Sequence, residues 1–167
     1  MYRYLLILLA ACGIAFLIYG SVSARAEDPA DAVLDSAERF FLSLKDRNFS
    51  LTWRLLSEKS RETIISDVDK ASRKIGGAAT AEEIRNDFET SGVISANYWD
   101  AFLNTFDPDM ILEESRWEIG FIKNNKAEIL ITHRKSREPA VLSVSMEDNI
   151  WKVGLVETFW TRKSLYK

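Results

Sequence analysis

The chain has 167 residues, 47% hydrophobic and 28% charged, with a formal net charge of −3. That is enough to bury the core of one domain and little more. A single cysteine excludes a disulfide scaffold and a thiolate metal centre, and mild acidity without a basic stripe excludes nucleic acid as the partner.

The first element predicted is not part of the fold. Residues 4–19, YLLILLAACGIAFLIY, carry no charge, follow Arg3 and give way at Gly20 to SVSARAEDP. This is the order of an export signal, and Ala24 and Ala26 put small side chains where a signal peptidase needs them, so cleavage is expected before Glu27. Two alternatives use the same residues. An uncleaved anchor would cross the membrane with the apolar run 4–22, since about 20 such residues span a bilayer. A lipoprotein would be lipidated at Cys12, in the lipobox-like Leu9-Ala10-Ala11-Cys12, although the apolar lead-in is short. All three place the remainder outside the cytoplasm, in the periplasm or anchored to the inner membrane. The expected division is therefore 1–26, signal or anchor, and 27–167, one exported domain. Removing Arg3 and Arg25 from the 22 basic residues leaves 20 against 25 acidic, a net of −5.

The exported part begins with Asp28-Pro29, an acidic cap followed by proline at the first helical position. Ala30, Val33, Leu34, Ala37, Phe40, Phe41 and Leu44 then recur at helical spacing, opposite Asp31, Asp35, Glu38, Arg39 and Lys45. The pattern breaks at Asp46-Arg47-Asn48, read as a solvent-facing elbow, and Ser50 is the expected cap of a short helix carrying Leu51, Trp53, Leu55 and Leu56. Ser57 is the expected cap of a third helix whose apolar side is Ile64, Ile65, Val68, Ala71 and Ile75, ended by Gly76-Gly77. Thr80 and Glu83 have capping-box spacing for a fourth. Residues 97–106 are read as one more, stopped by Asp107-Pro108.

After Asp109 the apolar period changes from helix to strand. Trp117, Ile119 and Phe121 alternate with polar positions, Asn124-Asn125 supplies a turn that tolerates positive φ, and Ala127, Ile129 and Ile131 alternate again. A third strand sets Ala140, Leu142, Val144 and Met146 on one side. Asp148-Asn149 turns into a fourth, in which Trp151, Val153, Leu155 and Phe159 share a face. Helices followed by a meander of about four antiparallel strands predict an α+β domain with one sheet face under the helices.

The phrase Phe41-x-x-Leu44-Lys45-x-x-Asn48-Phe49, the Leu55-Leu56-Ser57-Glu58-x-Ser60-Arg61 that follows it, and the closing strand DNIWKV (148–153) together resemble exported bacterial members of the nuclear transport factor two-like, cystatin-like superfamily. The resemblance covers most of residues 30–160. It implies a curved sheet around a long helix with a cone-shaped apolar cavity, which some members use as an enzyme site and others for ligand binding, and an outer sheet face used for dimerisation. Fold alone does not choose among these.

Members similar to ketosteroid isomerase or scytalone dehydratase need a base facing a tyrosine or second acid. His133, the only histidine, and Glu157, in strand phase with Val153 and Leu155, are the candidates for that reading. A ligand in the cavity would meet Trp53, Tyr98, Trp99, Phe102 and Trp160. Periodicity favours Trp53, Trp117 and Trp151 as core and leaves Tyr98, Trp99 and Trp160 as the more exposed. One histidine and no calcium-loop spacing provide nothing for a metal, no cofactor motif occurs, and the Asn48-Phe49-Ser50 sequon carries no weight in a bacterial-type chain. The expected function is a non-enzymatic binding module of the bacterial cell envelope that takes a small apolar ligand or an envelope protein. The alternatives are a cavity isomerase or hydrolase using His133, and a scaffold domain forming homodimers through its sheet.

Overall fold

A computed structural model describes residues 28–159. The expected export segment, Cys12 and Trp160 lie outside the described residues, as does the side chain of Phe159. Seven helices and four strands follow in the order α1 (Pro29–Lys45), α2 (Phe49–Leu55), α3 (Glu58–Lys74), α4 (Ala81–Thr90), α5 (Val93–Leu103), α6 (Pro108–Glu113), β1 (Ser115–Lys123), β2 (Lys126–His133), β3 (Ala140–Glu147), β4 (Ile150–Gly154) and α7 (Leu155–Phe159). The expected α+β class is the one observed. The strands form one antiparallel meander, β1-β2-β3-β4.

Local chemistry explains most of the boundaries. Asp28 accepts from the Ala30 amide ahead of Pro29, Ser57 caps α3, and Thr80 with Glu83 completes the capping box of α4. Both tight turns carry two residues of positive φ, Asn124 (51°) with Asn125 (60°) and Asp148 (50°) with Asn149 (61°), so the turn twist matches that of the strands they join.

The buried stripe of α1, with Val33, Ala37, Phe40, Phe41 and Leu44, lies on the sheet face formed by Ile129, Ile131, Leu142, Val144, Trp151 and Val153. The Ser36 hydroxyl donates to the Trp151 carbonyl at 2.6 Å, pinning the helix to β4. The free edge of β4 is covered by a parallel bridge from Leu56 to Val153 and by the Ser57 amide donating to the Val153 carbonyl at 2.9 Å, which removes an exposed pairing edge. Among the described residues no helix is long and apolar enough to cross a membrane.

Six expectations need correction. Ile75 does not extend the apolar side of α3: the helix ends at Lys74, and Ile75, its C-cap, is 87% exposed. Asn48, not Ser50, caps α2: its side-chain oxygen accepts from the Leu51 amide at 3.2 Å, and Ser50 is already inside the helix. The fifth helix starts at Val93 rather than Asn97, because Gly92 in extended conformation releases the chain there. Asp107-Pro108 does not merely stop a helix; Asp107 caps α6, with the same acid-proline start that opens α1. Phe121 leaves the core face. A bulge between Ile119 and Phe121 lets Ile122 pair with Ala127 instead, and Phe121 is 43% exposed. Finally, β4 ends at Gly154, so Leu155 is buried from a helix rather than from a strand; the Thr158 hydroxyl donates to the Gly154 carbonyl at 2.7 Å and accepts from the Ser143 amide at 3.0 Å, replacing the ladder.

The elbow after α1 is also more engaged than expected. Arg47 has φ of 56°, stands 5.5 Å above the Phe49 ring and is paired with Asp100 of α5. Lys45 reaches Asp109 at 2.6 Å and Glu113 at 2.8 Å on α6. These charges clasp the neighbouring helices instead of only facing water.

Candidate functional site

Three places gather the predicted site residues. The first is the aromatic interior. Trp53 of α2 lies 4.6 Å from Phe88 of α4, Phe88 5.5 Å from Tyr98, Tyr98 5.0 Å from Trp99, and Trp99 5.8 Å from Phe102, all between ring centroids. Phe102 continues to Phe106 at 5.0 Å and Phe106 to Phe41 of α1 at 5.8 Å. Four of the five proposed ligand contacts thus meet, but they meet each other. Trp53 is 3% exposed and Phe88 and Trp99 are 0% exposed, so the rings fill the space that a cavity would need. Trp99, expected near the surface, is core, because α5 begins four residues early and its buried face runs through Ser95 and Trp99. Burial pushes the Tyr98 phenol well above its usual range, and the Asp67 carboxylate adds to the shift, so Tyr98 stays protonated.

Two polar atoms on that face of α5, the Ser95 hydroxyl and the Trp99 indole nitrogen, are buried without a hydrogen-bond partner among the described residues. An unpaired buried hydroxyl costs desolvation and returns nothing. Ser95→Ala is therefore expected to be neutral or to stabilise by up to about 1 kcal/mol in denaturant unfolding. A loss larger than that would show that the hydroxyl is paired in solution.

The second place is the sheet rim at His133. Its Nε2 lies 3.1 Å from a Glu114 carboxylate oxygen, and its Nδ1 accepts from the Lys135 amide at 3.2 Å. The other Glu114 oxygen is 2.9 Å from Arg134. These groups border an open polar depression of about 580 Å³ with Arg116, Ser136 and Arg137. Both ring nitrogens are thus engaged by the protein's own groups. The His133 hydrogen bond, aided by the charges of Arg134 and Lys135, holds the Glu114 carboxyl below the usual glutamate range. A depressed folded-state value means that the pair contributes fully above the ordinary glutamate pKa and is lost as pH falls through the depressed one. His133→Phe is expected to return the Glu114 titration, followed by carbon-detected NMR, towards the ordinary value. An unchanged midpoint would mean that Arg134 and Lys135 alone hold it down.

The third place is the join of α3, β4 and α7. Glu157, expected on a strand, sits on α7 and folds back over Gly154. Its two oxygens accept from the Ser57 hydroxyl at 2.9 Å and the Ser60 hydroxyl at 2.7 Å. Gly154 leaves room for this: a Cβ would stand 3.1 Å from both Glu157 Cδ and the Ser143 carbonyl oxygen, close enough that a neighbour would have to shift by a few tenths of an ångström. The Glu147 carboxylate accepts from the Glu58 amide at 3.0 Å, so two carboxylates gather where the unpaired amides of α3 begin.

This join forms one wall of a cleft of about 430 Å³ on the sheet face turned away from α1. Phe121, Glu128, Ser143 and Gly154 form a single register row across its floor, and Lys126 pairs with Ser145 in the next. Lys59, Glu147 and Glu157 complete the wall. His133 and Glu157 border different depressions that share no residue, so the structure does not bring the two acid-base candidates together.

Of the cleft residues, only Glu157 is visible from the sequence as a candidate. Alternation assigned Phe121 to the core. The one local cue to the bulge is Gly120 inside a strand, a residue that often marks such an irregularity. Ser57 and Ser60 read as helix start and helix turn, and nothing in their spacing shows that Glu157 returns to them across about 100 residues.

Among the described residues no group of three or more His, Cys, Asp or Glu side chains is placed to hold a metal ion. Compared with known families, curated proteins and solved structures, the chain matches none.

Proposed function

We propose that this chain is a non-enzymatic binding module of the bacterial cell envelope, on a frame related to nuclear transport factor two, and that it works through its outer surface and not through an internal cavity. The choice of surface over interior is carried by one observation, the burial of Trp53, Phe88 and Trp99 at 3%, 0% and 0% exposure in a continuous run of ring contacts. Support for the envelope comes from the export-type order of residues 1–26. The enzyme alternative loses support because both nitrogens of His133 are engaged at 3.1 and 3.2 Å. The outer sheet face is a mixture of charges and hydroxyls, with Leu130 and Val141 half-buried among them, and this suits a polar ligand better than a broad apolar dimer contact.

Native mass spectrometry of the protein purified from its own envelope fraction tests this reading. The expected result is a chain that carries a discrete non-covalent partner and no tightly held apolar molecule, with its N-terminus at Glu27 or intact. A bare chain confined to the cytosol, or a stoichiometric lipid released only on unfolding, would overturn it.

A further inference from the structure

We propose that the cleft on the outer sheet face binds a neutral polyhydroxylated ring, a saccharide unit, between Phe121 and the Glu157 carboxylate. The proposal rests on the surface-binding reading above and specifies its ligand.

Phe121 is the first argument. Plain alternation from Trp117 and Ile119 would bury it, and the bulge instead turns it onto the outer face at 43% exposure, while Ile122 takes its core position. Bulges recur beside active sites, where the extra residue breaks the ladder locally and re-aims the side chains that follow it. The result is an apolar ring in a cleft whose other lining side chains are mostly charged or hydroxyl-bearing, a platform for the carbon-hydrogen face of a ring.

Glu157 is the second. A carboxylate on a five-residue helix would ordinarily move freely, yet this one receives a hydroxyl on each oxygen from serines that are 1% and 0% exposed. A hydrogen-bond acceptor held by buried donors is preorganised, and preorganisation is what a shallow site needs in order to bind a polar ligand against water.

The charge of the lining selects the ligand. Two lysines, Lys59 and Lys126, face three glutamates, Glu128, Glu147 and Glu157, with two serine hydroxyls between them. An anion would meet the carboxylates and a cation the ammonium groups, while an apolar ligand would strip water from five charges. A hydroxyl both donates and accepts. A neutral polyol therefore satisfies both signs of the lining with no charge left opposed. The cleft volume of about 430 Å³ lies in the range of small-ligand sites.

The test is amide-detected NMR of the isotope-labelled protein, as purified from the envelope, titrated with maltose, cellobiose and diacetylchitobiose, and separately with a lysine-bearing tripeptide. The expected result is saturable shifts at Phe121, Lys126 and Ser143 with at least one disaccharide, and an affinity about five- to tenfold weaker in Phe121→Ala, as loss of one stacked ring implies. Phe121 is exposed, so that variant keeps its melting temperature; Glu128→Ala, also on the floor, gives a second reading of the same site. Absence of saturable shifts with every sugar, equal affinity in both variants and the parent, or response to the tripeptide alone would overturn the proposal. If the sugars fail while the envelope partner persists in the mass spectrum, only the saccharide assignment falls. Sugar binding by a chain that has no envelope partner would sustain the cleft and remove the wider reading.

Discussion

Trp99→Ala is expected to cost about 3–5 kcal/mol, the range for removing a fully buried large aromatic side chain. The indole is 0% exposed, stacks on Phe49 with centroids 6.3 Å apart, and meets Tyr98 and Phe102 edge-on at 5.0 and 5.8 Å. Its loss opens a void between α2, α4 and α5 that rigid neighbours fill only in part. The melting temperature should fall by on the order of 10 °C or more. Trp99→Phe should cost much less. It keeps a ring in place and removes a buried indole N–H that has no partner among the described residues. The same variant tests the closed interior. Indole added to Trp99→Ala should restore much of the lost stability by filling an apolar void, and should leave the parent protein unchanged. Equal stabilisation of the parent by indole would show a cavity already present, and the internal-ligand reading would return. A cost below about 1.5 kcal/mol would carry the same message.

Ser60→Ala should cost about 2–3 kcal/mol, in contrast with the neutral or stabilising outcome at Ser95. Both serines are 0% exposed, and both lie on helices against the core. The difference lies in their partners. The Ser60 hydroxyl donates to Glu157 at 2.7 Å and accepts from the Val156 amide at 3.1 Å, so its removal takes a hydrogen bond from the carboxylate and strands a buried N–H. The Ser95 hydroxyl has nothing to strand. Denaturant unfolding of the two variants side by side decides the matter through the sign of their difference. Equal effects would mean that α7 is not held to α3 by this contact. In Ser60→Ala the Glu157 carboxylate loses one of its two serine hydrogen bonds, so the cleft should also bind its ligand more weakly, even where the fold survives.

Much of the architecture was legible because it rests on local chemistry. Asp28-Pro29, Ser57 and Thr80 with Glu83 mark helix starts through side-chain oxygens that satisfy free amides within three residues. The strands were legible from alternation and the turns from paired Asn and Asp residues that tolerate positive φ. The misreadings share a cause. Ser50 and Asn48 are both good caps, and the winner depends on where the chain leaves α1. The residues of α7 alternate like a strand, and only the Thr158 hydroxyl, completing the Ser143 hydrogen bond, shows that the ladder has been replaced. The sequence separated no buried aromatic from an exposed one in α5, whose apolar residues surround the helix more evenly than they do in α1.

By itself, then, the sequence determined an α+β domain of helices before a four-stranded meander, the caps of α1, α3 and α4, the two tight turns, and the α1 face that covers the sheet. Those features follow from interactions between residues a few positions apart, and periodicity reports them directly. Only the tertiary structure decided that the aromatic side chains close the interior and that His133 is held by Glu114 and the Lys135 amide. The tertiary structure alone also placed Glu157 on two serines some 100 residues away, beside a Phe121 turned outward. Each of these depends on which distant groups meet once the chain has packed, and on a single inserted residue in β1 that reverses the facing of everything after it. A pattern of period two or 3.6 carries no record of either.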